Sequence, residues 1–131
     1  MDNRLVLIAV LALAACGSPP TRAPVDGQLA RAKVDAATND YANCLDTTVK
    51  RLATPTTQAA DAADATFKEC MPVRAKLVAE VSKFRRIGAP KESAEYNTAV
   101  AEQSVLAIET DLRSQTVVTA VSTKLDQEKA Q

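Results

Sequence analysis

The amino-acid sequence predicts an all-α fold, an elongated antiparallel bundle of three helices that run up, down and up. Apolar residues recur at steps of three and four along most of the chain after residue 27, which is the period of helices with one buried face. Two segments, residues 54–57 and 87–90, interrupt this pattern with proline, glycine and threonine, which are typical of helix ends. These two turns divide residues 28–131 into three helices.

The first predicted helix covers residues 28–53 and carries one apolar stripe. Charged residues fall outside this stripe, which comprises Val34, Ala37, Tyr41, Cys44, Leu45, Thr48 and Leu52. The helix ends at residues 54–57, because Pro55 disfavours helical geometry in Thr54. A threonine of this turn is expected to cap the next helix.

The second predicted helix covers residues 58–87, and its stripe comprises Ala60, Ala63, Phe67, Cys70, Leu77, Val81 and Phe84. Pro72 lacks the amide proton that would bond the carbonyl of Lys68, so it should kink or divide the helix. Arg74 falls on the stripe, and we expect its stem to pack while its head group reaches water. Gly88 is expected just past the helix end and Pro90 at the start of the next helix.

The third predicted helix covers residues 90–129. Its stripe begins with Ala94, Ala101, Val105, Ile108 and Leu112, and Val118, Val121 and Leu125 resume it after two polar residues. The step from Leu112 to Val118 is one residue short of a heptad, so the apolar face drifts around the helix there. The last turns are therefore expected to fray or leave the bundle, and self-association through this helix is one possible use of its surface.

The positions of Cys44 and Cys70 predict a disulfide between the first two helices. Both cysteines lie at about the same distance from the first turn, and each lies on an apolar stripe. Folding the two helices back on each other therefore gives the close Cα approach that a disulfide requires. The alternative is a pair of buried thiols.

The N-terminal residues 1–15 have the features of an export signal. The apolar run from Leu5 to Ala15 has about eleven residues, too few for a membrane-spanning helix of roughly twenty. It ends in Leu13, Ala14, Ala15 and Cys16, which resemble the lipobox of bacterial lipoproteins. That resemblance implies cleavage before Cys16, a diacylglycerol on its sulfur and an acylated amine. The alternative is an ordinary signal peptide followed by an incidental cysteine.

The resemblance also implies a location. Gly17 follows the cysteine, and in the enterobacterial form of the family aspartate at that place favours retention in the inner membrane. We therefore expect a lipid-anchored protein of the outer membrane, facing the periplasm. That compartment is oxidising, which favours the Cys44–Cys70 disulfide. Residues 16–27, rich in proline and glycine, are expected to form a flexible tether before the domain of residues 28–131.

A basic cluster surrounds the second turn, formed by Lys83, Arg85, Arg86 and Lys91. In an up-down-up bundle this turn shares an end with the tether, so the cluster is expected to face the bilayer. Each cation near anionic lipid contributes on the order of 1 kcal/mol. The alternative is a solvated helix end whose cations complement the helix dipole.

The composition argues against catalysis and against nucleic-acid binding. The chain has no histidine, so neither a Ser-His-Asp nor a Cys-His site can be assembled. The acidic pairs Asp61 with Asp64 and Glu92 with Glu95 fit a solvated helix face better than a dry catalytic pocket. Basic and acidic residues balance at 16 each, with no extended basic block for a nucleic-acid backbone. No metal, cofactor or catalytic residue is expected.

The sequence therefore predicts an envelope lipoprotein, held to the bilayer through acylated Cys16, whose non-catalytic helical domain acts by binding in an accessory or structural role. Its partner would be an envelope protein or a second copy bound through the third helix. One alternative is a periplasmic ligand-binding or enzyme-inhibitor module, which a large apolar groove would favour. Another is an envelope enzyme with an unfamiliar carboxylate site, which a concave pocket with converging carboxylates would favour.

Overall fold

The computed structural model describes residues 25–130, and this part of the chain is all-helical, as predicted. It contains four helices and no strand: α1 (Val25–Leu52), α2 (Ala59–Glu69), α3 (Met71–Gly88) and α4 (Ala94–Lys129). The predicted signal peptide of residues 1–15, the lipidation site Cys16 and most of the predicted tether lie outside the described residues.

Helix α1 begins at Val25, three residues before the predicted start, so the last residues of the predicted tether are helical. Its buried face follows the predicted spacing of three and four residues. Five positions are buried, and four of them lie on the predicted stripe: Ala37, Tyr41, Leu45, Thr48 and Val49. This face of α1 packs against the other three helices.

The turn after α1 is stabilised by its threonines. The hydroxyl oxygens of Thr54 and Thr57 lie 2.6 Å apart, so these side chains bond to each other. The N-cap of α2 is Gln58, which makes no side-chain capping hydrogen bond. The prediction that a threonine caps the second helix is therefore wrong.

The predicted second helix is divided in two at Cys70. This residue lies between α2 and α3, and its carbonyl accepts hydrogen bonds from the amides of Val73 and Arg74, both at 3.0 Å. Pro72 occupies the second position of α3, where an amide proton would have no partner within the helix. Because the helix is divided here, the missing amide proton of Pro72 costs no hydrogen bond in the interior of a helix. The division gives four helices where three were predicted.

The turn before α4 also differs from its prediction. Gly88 is the last residue of α3, and no glycine in the described range has a positive φ. Helix α4 begins at Ala94 because the side chain of Ser93 caps it, accepting a hydrogen bond from the amide of Tyr96 at 3.1 Å. Pro90 offers no such acceptor, so the helix begins four residues later than predicted.

The contacts between the helices are ordered along the bundle. Asp26 and Leu29 at the start of α1 share a shallow depression with the end of α3. The start of α4 also lies against this end of α3, where the hydroxyls of Ser82 and Thr98 are 3.2 Å apart. Near the other end of α4, the ammonium of Lys124 donates to the carbonyl of Thr57 at 2.6 Å.

Two hydrophobic clusters form the core. The larger includes residues from all four helices and the α2–α3 junction: Ala37, Tyr41, Leu45, Phe67, Cys70, Leu77, Val78, Ala101 and Val105. The smaller lies near the first turn and consists of Val49, Ala53, Ala62 and Ala120. Alanine supplies three of the four residues of the smaller cluster and two of the nine of the larger, so the helices approach closely near the first turn but bury little apolar area per residue there.

A disulfide joins Cys44 to Cys70, with their Cα atoms 6.0 Å apart. The predicted pairing is therefore confirmed. Because Cys70 lies at the junction of α2 and α3, the bond fastens α1 to the point where the helical hydrogen bonding is interrupted.

The second half of α4 does not have the predicted apolar face against the core. Val118, Val121 and Leu125 are 67%, 44% and 49% exposed, and the buried positions are Thr116 and Ala120. Thr116 and Ala120, four and eight residues after Leu112, lie on the same face of α4 as Leu112. Val118 lies roughly 240° further around the helix. Earlier in α4, the predicted core residues Ala94 and Ile108 are exposed as well. The helix nevertheless continues to Lys129.

Candidate functional site

A polar cluster links three helices inside the bundle. The hydroxyl of Tyr41 on α1 donates to Glu109 Oε1 on α4 at 2.5 Å. Arg74 on α3 donates through Nε to the same oxygen at 2.8 Å and through Nη1 to Glu102 at 2.7 Å. The side chains of Arg74 and Glu109 are only 11% and 14% exposed. We call these four residues the Arg74 cluster.

The Arg74 cluster corrects the prediction that the head group of Arg74 reaches water. Its guanidinium is paired with two carboxylates, and the hydrogen bond to Glu109 raises the pKa of Arg74 above its ordinary value. Burial, with the hydrogen bond to Glu109, raises the pKa of Tyr41 well above the ordinary value of a tyrosine. Tyr41 is therefore neutral and Arg74 charged at physiological pH.

The sequence analysis did not single out Glu102 and Glu109. The available signal was an arginine on an apolar stripe together with two glutamates seven residues apart on another helix. Two turns of helix place such glutamates on one face, where both can reach a single guanidinium.

A shallow groove of about 540 Å³ lies beside this cluster, between the α2–α3 junction and α4. Phe67, Met71, Leu106 and Arg113 line it, and we call it the Phe67 groove. The guanidinium of Arg113 lies over the ring of Phe67, 4.7 Å from its centroid, and is paired with Asp64. Asp64 and Glu109 also line the groove, so its apolar side chains are bordered by charges of both signs.

The basic cluster lies at the end of α3, next to the start of α1. Two of its four cations are paired with glutamates: Lys83 with Glu80 at 2.6 Å and Arg85 with Glu92 at 3.0 Å. Arg86 and Lys91 are exposed and form no ion pair within residues 25–130. Within the basic cluster, Arg86 and Lys91 are therefore the two cations without an ion pair among the described residues.

The face of α4 opposite the core carries an uncharged stripe. At about 100° of rotation per residue, eight positions fall within roughly 60° of one another. Seven of them are exposed and Val100 is half-buried. We call this set the outer stripe: Tyr96, Val100, Gln103, Ala107, Ser114, Val118, Val121 and Leu125.

The acidic pairs singled out in the sequence lie at the surface. Asp61, Asp64, Glu92 and Glu95 are all exposed. Asp64 pairs with Arg113 and Glu92 with Arg85, so the two members of each acidic pair have different surroundings. Among the described residues, no group of three or more His, Cys, Asp or Glu side chains could hold a metal ion. None of α1 to α4 is long and apolar enough to cross a membrane.

Comparison with known proteins identifies no relative: no protein-family model, curated protein or solved structure matches the chain.

Proposed function

We propose that this chain is a lipid-anchored lipoprotein of the bacterial outer membrane, facing the periplasm, whose helical domain acts by binding rather than by catalysis. The anchor is supported by Leu13, Ala14, Ala15 and Cys16, which have the lipobox pattern. The Cys44–Cys70 disulfide supports an oxidising compartment.

The observation that carries the binding function is the outer stripe of α4. A helix face exposed to water usually carries charged residues. Here eight positions between Tyr96 and Leu125, about 44 Å along the helix, carry none. Exposed apolar patches mark interaction surfaces, and the stripe includes the exposed apolar side chains of Tyr96, Val118, Val121 and Leu125. A non-catalytic role is supported by the pairing of Glu109, whose side chain is largely buried, with Arg74.

We also propose an up-down-up arrangement in which α2 and α3 together form the descending arm. It is supported by the contacts of Leu29 with the end of α3, of Ser82 with Thr98, and of Thr57 with Lys124. In this arrangement α1 and α4 begin at the same end of the bundle. That end carries the basic cluster, and the tether joins the domain there.

The anchor is tested by mass spectrometry of the mature protein and by the variant Cys16→Ser. We expect the wild-type N-terminus to be Cys16 with a diacylglycerol and an additional acyl chain, and the protein to fractionate with membranes. Each buried methylene contributes about 0.8 kcal/mol, so two or three chains hold the protein firmly. We expect Cys16→Ser to be absent from the mature membrane fraction. An unmodified sulfur at position 16 of the wild type would contradict the proposal.

The Phe67 groove supports a second candidate function, a module that binds a small apolar molecule. The observation that favours it is the exposure of Met71 and Leu106 in this groove. Native mass spectrometry of the protein isolated from cells would distinguish this function, because a bound small molecule would add a defined mass.

A further inference from the structure

We propose that the outer stripe of α4 binds a second copy of this chain, with the two α4 helices side by side and parallel. This inference deepens the proposed binding function, because it names the partner. Its parallel orientation rests on the proposed lipid anchor.

The spacing of the outer stripe suits the packing of two straight helices. Two series within the stripe repeat every eleven residues: Tyr96, Ala107 and Val118 form one, and Gln103, Ser114 and Leu125 form the other. An eleven-residue repeat corresponds to about 3.67 residues per turn, close to the 3.6 of an undistorted helix. The stripe therefore runs almost parallel to the axis of α4, and a second helix can follow it for about 44 Å.

The stripe is complementary to itself. In a parallel pair in register, each position meets the same position of the second copy, and no position of the stripe carries a charge that would be repelled. Tyr96, Val118 and Leu125 supply apolar area towards the ends. Ala107 and Ser114 near the middle let the two backbones approach closely. Gln103 can donate and accept a hydrogen bond with its counterpart.

The length of the tether favours the parallel orientation. Only eight residues, 17–24, lie between the lipidated cysteine and Val25 at the start of α1, and the fully extended chain from Cys16 to Val25 spans about 30 Å. Helix α4 has 36 residues and is about 54 Å long. In an upright antiparallel pair, the two α1 starts would be separated by about this length, so one tether could not reach the bilayer. A parallel pair places both tethers at the same end.

The contact area predicts a weak dimer. A strip about 44 Å long and about 10 Å wide gives roughly 900 Å² for the two copies together. This is below the roughly 1,200 Å² at which stable complexes begin. We therefore expect micromolar or weaker affinity in solution and substantial pairing only when both copies are anchored in one membrane, which raises their effective concentration.

The test is disulfide crosslinking of the full chain in intact cells. In a parallel pair the two copies of residue 107 meet, so Ala107→Cys should give a covalent dimer on a non-reducing gel. The matched control is Lys76→Cys, an exposed position on α3, which should remain monomeric. Absence of the dimer with Ala107→Cys would overturn the proposal. A dimer that forms only when Ala107→Cys is expressed together with Ser114→Cys would overturn the parallel arrangement.

A second variant tests whether the stripe itself drives the pairing. Adding Val118→Glu and Leu125→Glu to Ala107→Cys should lower the crosslinked fraction at least tenfold, because like charges then meet across the pair. Both positions are exposed, so the fold should survive, which circular dichroism checks. Adding Ala60→Glu and Ala65→Glu instead places the same charge on exposed positions of α2 and should leave the crosslinked fraction unchanged. Equal crosslinking in all three chains would contradict the proposed interface.

The failure of this inference can be distinguished from the failure of the proposed function. A photocrosslinker attached to Ala107→Cys that captures only a different envelope protein would overturn the second copy as partner and retain a binding function for α4. An unmodified Cys16 in the wild type would overturn the anchor and, with it, the argument for parallel orientation.

Discussion

At the scale of single residues, the Arg74 cluster is the most constrained feature of the bundle. One oxygen of Glu109 accepts hydrogen bonds from both Tyr41 and Arg74. Removing one partner of a buried ion pair is costly because the remaining charge is left uncompensated. The cluster therefore contributes mainly to the alignment of α1, α3 and α4.

The raised pKa of Tyr41 predicts a loss of stability at alkaline pH. An unfolded tyrosine loses its proton near pH 10, whereas the buried hydroxyl keeps it. Above about pH 10 the unfolded state therefore binds fewer protons, and the free energy of unfolding falls by up to about 1.4 kcal/mol per pH unit from this group. Below pH 10 this contribution is fully present. We expect urea unfolding to show a steeper fall between pH 9.5 and 11 in the wild type than in Tyr41→Phe.

The control for this prediction is Tyr96→Phe, which removes the other, exposed tyrosine. In Tyr96→Phe the free energy of unfolding should fall with pH as steeply as in the wild type. All three proteins have the same lysines, so any effect of lysines at alkaline pH is the same in each. At pH 7, Tyr41→Phe should lower the free energy of unfolding by about 1 kcal/mol, the usual contribution of one hydrogen bond. Equal slopes in the wild type and Tyr41→Phe would contradict the raised pKa.

At the scale of helices, the junction between α2 and α3 determines the architecture. Pro72 prevents a continuous helix, and Cys70 occupies the break. The disulfide to Cys44 then holds this break against α1. Without the disulfide, α2 and α3 could move relative to each other at this break. The disulfide restricts that motion.

The disulfide is expected to supply a large part of the stability. Its cysteines are 26 residues apart, and closing such a loop contributes roughly 3.5 kcal/mol in the chain-entropy model. The double variant Cys44→Ala/Cys70→Ala should therefore melt at a temperature lower by about 10 °C or more, as measured by circular dichroism. Reductant should bring the wild type to the same melting temperature and should not affect the variant. Unchanged melting would show that the bond is not a stabilising crosslink.

At the scale of the whole molecule, charge is distributed unevenly along the bundle. Arg86 and Lys91, which form no ion pair with residues 25–130, lie at the end where the start of α1 meets α3. Along α4, the outer stripe carries no charge between Tyr96 and Leu125. The proposed membrane-facing end and the proposed pairing of α4 helices both rest on this distribution of charge.

The orientation on the membrane can be tested with the unlipidated chain of residues 17–131. Arg86→Glu/Lys91→Glu should weaken binding to vesicles that contain phosphatidylglycerol, since each cation near anionic lipid contributes on the order of 1 kcal/mol. The matched control is Lys68→Glu/Lys76→Glu, which makes the same change of charge at exposed positions away from this end. Equal binding of the two variants in a vesicle sedimentation assay would contradict a membrane-facing basic end.

Local patterns in the sequence were sufficient to predict the helical class, the position of the first turn, the pairing of Cys44 with Cys70 and most of the buried face of α1. These features depend on spacings of three and four residues and on residues that end helices, which act over short stretches of chain. The division at Pro72 was predicted as one of two outcomes, because a missing amide proton can be accommodated by a kink or by a break.

Other features were decided only by the tertiary structure. Arg74 is buried because α4 brings Glu102 and Glu109 to its guanidinium, and the sequence of α3 does not contain that information. Val118 and Leu125 face away from the core because the rotation of α4 was already set by Leu112 and the residues before it. Spacing along the sequence was enough to predict an all-helical chain and the pairing of Cys44 with Cys70, whereas the helix ends near Pro72 and Pro90 were set by the local hydrogen bonds of the folded chain. The rotation of each helix against its neighbours depended on contacts between distant residues, and it decided which side chains meet and which face of α4 remains open.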